Sequence, residues 1–293
     1  MAKKAQETGK FRAYYLLTKP GIIRGNILVA AGGFLFAARG HVDILLLLAT
    51  LIGTSLVIAS ACVLNNYIDR DIDTRMERTK KRALVTGFIT PSSALIYAAV
   101  LGISGTIILF VYVNALTGVI GLFGFFAYVV LYTYAKRLTT HGTVIGSISG
   151  AIPPVAGYAA VTNYLDVTAL LLFIILVAWQ MPHFYAIAVF RQDEYAAAKI
   201  PVLPVKKGLH ATKIQITLYI IAFTAVCVSL GILSYASTGY LIVMTGMSLL
   251  WLRLAIKGFK ADNDHKWARE VFGMSLLVIL VFSIMLSLNS LFS

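Results

Sequence analysis

Nine apolar runs of the chain are each long enough to cross a lipid bilayer as a helix. Hydrophobic residues make up 59% of the 293 residues, charged residues make up 13%, and the mean hydropathy is +0.84. Soluble domains carry about twice that share of charged residues. A backbone inside lipid must satisfy its own hydrogen bonds, which a helix does. The sequence therefore predicts an all-α, polytopic membrane protein with a single domain over residues 1–293.

Turn residues and charged residues separate the predicted spans. The shortest separation is at Asn114, where the third and fourth spans meet in a tight turn. The longest are the polar stretches 66–90 and 191–213. The nine predicted spans cover about residues 21–38, 44–65, 92–114, 116–135, 143–161, 166–189, 214–235, 238–256 and 271–291.

Nearly all basic residues fall on one face of this predicted bundle. With nine spans, every one of the 25 Lys and Arg residues except Arg39 lies on the same side, Lys3 and Lys4 included. The positive-inside rule places that side, with the N-terminus and the long loops, in the cytoplasm, and the C-terminus in the periplasm. Topology thus accounts for the net charge of +13. The charge favours the lipid bilayer as a partner and gives no reason to expect nucleic acid.

The opening segment, MAKKAQETGKFRAYYLLTKPG, is basic. The apolar stretch after it is long and has no clear cleavage site, so we expect no removable signal peptide. The segment also lacks the Ser- and Arg-rich, acid-poor composition of an organelle leader. We therefore expect a multi-pass protein of a bacterial inner membrane.

Asn65, Asp69 and Asp73 follow the second span at four-residue intervals. On a helix each such step turns about 40° and rises about 6 Å, so the three side chains share one face. An ordinary charged loop is the alternative interpretation. Hard oxygen ligands beside cations suit Mg²⁺ that carries a phosphate or pyrophosphate. The cations close behind are Arg75, Arg78, Lys80, Lys81 and Arg82.

A second polar cluster follows the sixth span. Asp193 and Glu194 could supply a metal-binding element that faces the first, although such residues are more often solvated loop charges. His183 lies inside the sixth span, directly after Pro182. A histidine in a membrane segment is a functional candidate and can ligate iron, but it can equally hydrogen-bond a neighbouring helix. The sequence leaves both interpretations open.

Further cations lie on the same predicted face. Lys136 and Arg137, followed by His141, precede the fifth span, and Lys19 precedes the first. Each of the three cations could contact a pyrophosphate or could only mark the topology. The fifth span itself is rich in small residues and contains Pro153-Pro154, which predicts close helix packing, a cavity lining, or both.

The motif N-x-x-x-D-x-x-x-D at residues 65–73, after the second of nine helices, resembles the hallmark of the UbiA-type intramembrane prenyltransferase superfamily. That superfamily also carries an acidic motif after the sixth helix. The resemblance runs through nearly the whole chain and is most similar to the members that modify haem. The segments that carry it are TKPGIIRGN at 18–26, MERTKKR at 76–82, GSISGAIPPVAGY at 146–158, WQMPHFYAIAVFR at 179–191 and IPVLPV at 200–205.

The resemblance implies nine helices around a central cavity, with the active site on the cytoplasmic side. It implies that a farnesyl group passes from farnesyl diphosphate to a vinyl group of haem b, with addition of water, giving haem O and pyrophosphate. Mg²⁺ is the implied cofactor and haem b is a substrate. The implied catalytic residues are Asn65, Asp69, Asp73 and Asp193; the metal ligands are these four and Glu194. The pyrophosphate contacts are Arg78, Lys81, Lys136, Arg137 and Lys19, and the haem contacts are His183 and His141.

One departure fits the haem subgroup in particular. His183 stands where members that act on aromatic substrates place the first Asp of the second motif. Three alternatives remain open at this point: a prenyltransferase for a quinone precursor or another aromatic acceptor, a secondary transporter, and an assembly subunit of a respiratory complex. If haem O is the product, a haem A synthase or a terminal oxidase is the expected recipient.

Overall fold

The computed structural model describes the backbone of residues 2–291 and the side chains of residues 9–290. Within that part the regular structure is helical without any β-strand, and nine helices are long and apolar enough to cross a membrane. The predicted all-α, nine-span fold is therefore confirmed. The side chains of Lys3 and Lys4, which counted toward the predicted cytoplasmic charge, lie outside the described residues.

An N-terminal helix, α1 (Ala2–Leu17), precedes the spanning helices. Short helical turns at Arg70–Asp73, Gln192–Ala197 and Asn289–Leu291 lie outside the spans. The spanning helices are α2 (Pro20–Ala38), α3 (Ile44–Ile68), α4 (Pro91–Val113), α5 (Ala115–Leu138), α6 (Gly142–Thr162), α7 (Val167–Phe190), α8 (Leu203–Ile232), α9 (Thr238–Lys260) and α10 (Asp264–Ser287).

The two ends of the bundle differ in how the helices are joined. The end that carries residues 69–90 and 191–202, which we call the polar end, has the long connections. At the opposite end the connections are short. They are residues 39–43, 114, 163–166 and 233–237.

The turn at Asn114 is held by its own side chain. Asn114 is extended, and its Oδ1 accepts a hydrogen bond from the Thr117 N–H at 2.8 Å, which caps α5. Its Nδ2 donates to the carbonyl oxygens of Ala159 and Ala160 in α6, at 3.0 and 3.2 Å. The side chain of Asn114 thus caps α5 at the turn after α4 and links this turn to α6. The predicted tight turn is present.

Two spans start earlier than predicted, and the polar stretch 191–213 is largely helical rather than a loop. α8 begins at Leu203 instead of residue 214, and α10 at Asp264 instead of residue 271. Gly208, with φ of 80°, divides α8 into two helical stretches, and an ion pair joins the second stretch to the first residue of α10. Lys213 Nζ lies 2.6 Å from Asp264 Oδ1 and 5.5 Å from the centre of the Trp267 ring. Lys213 and Asp264 are thus polar residues of helices that pair with each other. Hydropathy does not detect such a pairing.

Small residues of α6 let other helices approach it closely. About 67% of this span is buried inside the protein, against 22% for α4 and α5. A Cβ built on Gly33 of α2 would lie 2.1 Å from the Pro154 carbonyl oxygen, and one on Gly157 would lie 2.0 Å from the Ala30 carbonyl oxygen. Because lipid offers no hydrophobic force between helices, such close contact is a main source of their cohesion. The packing interpretation of this small-residue run is supported.

We expect Gly33→Ala to destabilise the protein and Gly25→Ala to leave it unchanged. Both glycines lie on α2, but a Cβ at Gly25 meets no atom within 4 Å. The added methyl at Gly33 must push α2 away from Pro154, at a cost of about 1–3 kcal/mol. Thermal unfolding of the two purified variants in detergent measures the difference. Equal unfolding temperatures would show that α2 and α6 are not in close contact.

Candidate functional site

Asn65, Asp69 and Asp73 share one helical path at the polar end. The Asp69 N–H donates to the Asn65 carbonyl at 2.9 Å, and the Asp73 N–H donates to the Asp69 carbonyl at 2.9 Å. The helical spacing therefore continues across the end of α3 into the turn Arg70–Asp73. All three side chains are buried, with 2%, 4% and 2% exposure respectively. The predicted common face is present, and it points into the protein.

Each motif carboxylate is paired with a cation. Lys136, near the end of α5, donates to Asp69 Oδ2. Arg82, in the same connection between α3 and α4 as Asp73, donates from Nη1 to Asp73 Oδ2 at 2.5 Å. An unpaired buried carboxylate would cost several kcal/mol. These two ion pairs therefore compensate for the burial of both carboxylates.

Asn65 bridges two further elements. Its Oδ1 accepts a hydrogen bond from Lys19 Nζ at 2.5 Å, and its Nδ2 donates to Thr133 Oγ1 at 3.3 Å. Lys19 lies between α1 and α2 in the left-handed conformation, with φ of 54°. Burial, together with the charges of nearby Arg82 and Lys136, lowers the pKa of Lys19 to about 8. Three cations from three segments thus surround the motif oxygens.

Arg137 makes a bidentate contact with a carboxylate at the polar end. Its guanidinium donates to both oxygens of Asp71, at 2.8 and 2.9 Å, and to the Ile68 carbonyl at 2.8 Å. It also lies 3.4 Å from Asp69 Oδ1. The hydrogen bonds from Arg137 hold the pKa of the Asp71 carboxyl below its usual range. Arg137 therefore joins the end of α5 to the end of α3.

A cavity of about 420 Å³ opens beside these ion pairs. Lys19, Arg78, Lys81 and Arg82 line it, and buried Asn66 forms part of its wall. Three of the five predicted pyrophosphate contacts therefore meet in one space, whereas Lys136 and Arg137 lie against the carboxylates. The remaining lining residues are Ala13, Leu16, Leu17, Ala83, Thr86 and Phe88.

The second acidic element contacts an arginine that lines the cavity. Glu194 Oε2 lies 4.0 Å from Arg78 Nε, and Glu194 Oε1 lies 3.9 Å from Arg191 Nη1. Asp193 is exposed, and its side chain makes no hydrogen bond or ion pair within the described residues. Nor do any three His, Cys, Asp or Glu side chains in that part form a group that could hold a metal ion. The structure thus brings Glu194 to Arg78, which lines the cavity, without joining it to Asp69 and Asp73.

His183 is embedded among aromatic side chains between α7 and α10. Its Nδ1 is hydrogen-bonded to Ser275 Oγ at 2.8 Å, and its ring stacks on Trp179 with 4.9 Å between centroids. The Phe272 ring lies 4.8 Å away. These contacts match the predicted hydrogen bond to a neighbouring helix, and the haem role stays a prediction. His141 is exposed in the turn before α6 and contacts neither Ser275 nor this aromatic cluster.

Sequence analysis missed several residues of the site. Arg82 was recognised only as one of a basic cluster, because no periodicity links it to Asp73 in an irregular segment. Thr133 and Tyr132 lie in an apolar span, where hydropathy hides them. The Tyr128 and Tyr132 rings stack with centroids 5.4 Å apart. The only available signal was the four-residue spacing of Tyr128, Tyr132 and Lys136.

The sequence is similar to proteins of a known family. The sequence model of the UbiA prenyltransferase family matches residues 26–281. Over 279 residues the chain is 53% identical to protoheme IX farnesyltransferase of Edwardsiella ictaluri, covering 95% of this chain and 94% of that one. The protein of the same name from Yersinia pseudotuberculosis is 52% identical, with 95% of both chains covered. Protoheme IX farnesyltransferase 2 of Pseudomonas putida is 51% identical over 275 residues, which cover 94% of this chain and 93% of that one.

Solved structures show the same fold at much lower sequence identity. A chain from work on digeranylgeranylglyceryl phosphate synthase in membranes superposes with a TM-score of 0.79 at 19% identity, covering 96% of this chain and 99% of that one. A UbiA homologue from Archaeoglobus fulgidus bound to GPP and Mg²⁺ gives a TM-score of 0.69 at 16% identity, covering 94% and 99%. Fold, family match and close relatives together establish that the chain belongs to the UbiA prenyltransferase family.

Proposed function

We propose that this protein transfers a farnesyl group from farnesyl diphosphate to a vinyl group of haem b, with addition of water, to give haem O and pyrophosphate. The main support for haem as the acceptor is the sequence identity above 50%, over nearly the full length, to relatives named protoheme IX farnesyltransferase. The main support for the chemistry is the row of buried oxygen ligands of Asn65, Asp69 and Asp73 beside a cationic cavity. Together they favour a prenyl diphosphate as donor and haem as acceptor.

The cationic cavity is the candidate site for the diphosphate. Lys19, Arg78, Lys81 and Arg82 line it, and its volume lies in the range of small-molecule pockets. Guanidinium groups bind phosphate oxygens in pairs, so Arg78 and Arg82 suit a diphosphate better than lysines alone. We assign Lys136 and Arg137 to the opposite side of the bound diphosphate. Positive charge on both sides then stabilises the pyrophosphate as it leaves.

The motif side chains fit Mg²⁺ in their chemistry. Asn65, Asp69 and Asp73 offer an amide and two carboxylates, the hard oxygen donors that this ion prefers. Both carboxylates are buried, and each pairs with a cation. We propose that these three residues hold the ion. Asp193 and Glu194 are secondary candidates because they do not contact Asp69 or Asp73. A bound Mg²⁺ neutralises charge on the leaving pyrophosphate.

The reaction then needs three changes of bonding. The bond between C1 of the farnesyl group and oxygen breaks, and both electrons leave with the pyrophosphate. The electron pair of the haem vinyl double bond forms the new carbon–carbon bond to C1. The vinyl carbon next to the porphyrin ring becomes cationic and takes up water, which loses one proton, and the pyrophosphate is an available acceptor. Helices around the farnesyl cation keep other water away until the carbon–carbon bond has formed.

The aromatic cluster around His183 is the proposed haem contact. Trp179, Phe184 and Phe272 present ring faces or edges to His183 within 5.3 Å. Since Ser275 hydrogen-bonds Nδ1, the ring orientation is defined and Nε2 is the nitrogen left for iron. His141, exposed at the polar end, is a proposed contact for a polar edge of the porphyrin.

We further propose a bacterial inner-membrane location with the site toward the cytoplasm. The polar end carries the long basic connections, and the positive-inside rule assigns such connections to the cytoplasm. Farnesyl diphosphate and haem b are amphipathic, so both can reach the site from the bilayer. A haem A synthase or a terminal oxidase in the same membrane is the proposed recipient of haem O.

Membranes that contain this protein should convert haem b to hydroxyethylfarnesyl haem when supplied with farnesyl diphosphate and Mg²⁺. Mass spectrometry of extracted haems measures the product, and EDTA should abolish it. Membranes without the protein are the control. Unchanged haem, with the protein folded and both substrates present, would contradict the proposed acceptor. The assay would then be repeated with a quinone precursor.

Asp73→Asn and Asp69→Asn should each lower haem O formation by at least about 100-fold, because each removes a charge that holds the ion. Glu77→Gln is the matched control. Glu77 lies in the same segment, is exposed, and pairs only with neighbouring Lys80. Its variant should retain activity within about twofold, as expected for an exposed ion pair. Activity of both aspartate variants near that of the control, at equal amounts in the membrane, would exclude the proposed metal site.

His183→Ala should weaken haem binding by about tenfold or more while leaving farnesyl diphosphate binding nearly unchanged. Absorbance titration of the purified variant with haem measures the first quantity, and isothermal titration with farnesyl diphosphate measures the second. His41→Ala is the control, because His41 is exposed at the opposite end. Equal losses for the two ligands would point to a structural role of His183 in the contact between α7 and α10.

A further inference from the structure

The N-terminal helix α1 separates the cationic cavity from a second cleft. Three residues on one side of α1 line the cationic cavity, and they are Ala13, Leu16 and Leu17. On the other side a cleft of about 340 Å³ lies between α1 and Tyr97 of α4, and its remaining lining residues are Phe11, Tyr14 and Tyr15. All four lining residues of this second cleft, which we call the aromatic cleft, are aromatic. The function proposed above gives it no ligand.

The aromatic cleft lies at the depth of the bilayer surface. The rings of Tyr14 and Tyr97 meet edge to face, with centroids 5.1 Å apart. Tyr97 lies six residues inside α4, about 9 Å from the polar end of that span. Leu17 belongs to the same buried apolar cluster as Val63 of α3, and its carbonyl accepts a hydrogen bond from Asn66 Nδ2 at 2.8 Å. The second half of α1 is therefore packed on two spanning helices, at the level where lipid headgroups meet acyl chains.

The residues around the aromatic cleft suit contact with lipid. Phe11 is 78% exposed and Tyr15 is 53% exposed, and aromatic side chains are enriched where a membrane meets water. Lys10 and Arg12 flank Phe11 in the sequence. Both cations are exposed, and neither makes an ion pair within the described residues. A helix that combines exposed aromatic rings with unpaired cations lies in the membrane interface and attracts anionic lipid.

We propose that the aromatic cleft binds an anionic phospholipid of the leaflet at the polar end. One acyl chain lies against Phe11, Tyr15 and Tyr97, and the phosphate lies beside Lys10 and Arg12. A zwitterionic lipid fits less well, because its own ammonium group already neutralises the phosphate. The bound lipid fills the space between α1 and α4 and holds α1 in place as a wall of the cationic cavity.

The position of α1 links the bound lipid to the cationic cavity. Leu17 and Lys19 both line that cavity, and the left-handed conformation of Lys19, with φ of 54°, marks the turn between α1 and α2. A lipid that stabilises the docked α1 therefore favours the arrangement in which both residues face the cavity. Lipid and diphosphate then strengthen the binding of each other. This link rests on the proposed function, whereas the lipid site does not.

Two variants of the full-length protein and one control test the proposal. Phe11→Ser removes an aromatic wall of the cleft, and the double variant Lys10→Gln with Arg12→Gln removes both cations. Lys206→Gln with Lys207→Gln is the matched control, because these are two exposed lysines near the start of α8 at the same end. The purified proteins are titrated with phosphatidylglycerol or with phosphatidylcholine in detergent. Native mass spectrometry counts the bound lipids and gives the Kd of each.

The unaltered protein and the control should bind one phosphatidylglycerol about tenfold more tightly than phosphatidylcholine. The variant without Lys10 and Arg12 should lose this preference, since each interfacial cation is worth about fivefold in affinity. Phe11→Ser should weaken the binding of both lipids by about fivefold. Equal affinity of the unaltered protein for the two lipids would overturn the proposal, and so would cleft variants that bind as the control does.

Competitors identify what the aromatic cleft recognises. Glycerol phosphate, which has the phosphate without the acyl chains, should not displace phosphatidylglycerol from the unaltered protein. Farnesyl diphosphate should not displace it either, because the two ligands occupy different sides of α1. Displacement by glycerol phosphate would show a site for free phosphate, and displacement by farnesyl diphosphate would assign the cleft to the prenyl substrate. Either result would overturn the lipid site.

Kinetics in phosphatidylglycerol nanodiscs test the link between the lipid and the cationic cavity. Both cleft variants should raise the KM for farnesyl diphosphate by about three- to fivefold and keep kcat within about twofold, while the control keeps both values. An unchanged KM in variants that have lost the lipid would overturn this link. An unaltered protein that forms no haem product would instead contradict the proposed function, and the lipid titrations would still decide the role of the aromatic cleft.

Discussion

The pairing of two buried carboxylates with cations organises the polar end. Asp69 with Lys136 joins α3 to α5, and Asp73 with Arg82 closes the segment between α3 and α4 on itself. Removing one partner of such a pair leaves an uncompensated charge and costs about 3–5 kcal/mol. In the proposed function, a metal ion and a diphosphate replace the partners in these pairs and leave no charge unmatched. The proposal therefore makes the same few contacts serve stability and ligand binding.

The position of these pairs at the membrane edge suits a reaction between charged and apolar groups. The cationic cavity lies at the polar end, and the stacked rings of Tyr128 and Tyr132 lie on the turns of α5 that lead from Lys136 toward the apolar interior. A prenyl diphosphate has the same order of parts, with a charged head and an apolar tail. Charge density thus decreases along the direction in which the substrate would lie. A site at the bilayer midplane would have to desolvate all of these charges at far higher cost.

Sequence predicted what depends on local spacing or hydropathy. The nine spans, the turn at Asn114 and the common face of Asn65, Asp69 and Asp73 all follow from patterns within one segment. The early starts of α8 and α10 were not predicted, because charged residues near both starts lower the hydropathy and the contact of Lys213 with Asp264 is not visible in the sequence. The same holds for Arg82, which meets Asp73 only through an irregular chain path. The contact of Glu194 with Arg78 is likewise absent from any local pattern. Such contacts form only in the tertiary structure, so no periodicity in the sequence indicates them.

The short connections opposite the polar end have a mechanical consequence. A single residue joins α4 to α5 there, and residues 163–166 join α6 to α7. Two further short connections, residues 139–141 and 261–263, hold α5 to α6 and α9 to α10 at the polar end. Separation of helices at the polar end is therefore least restricted between α3 and α4 and between α7 and α8, which residues 69–90 and 191–202 join. At the other end, separation of α4 from α5 would first break the hydrogen bonds of Asn114.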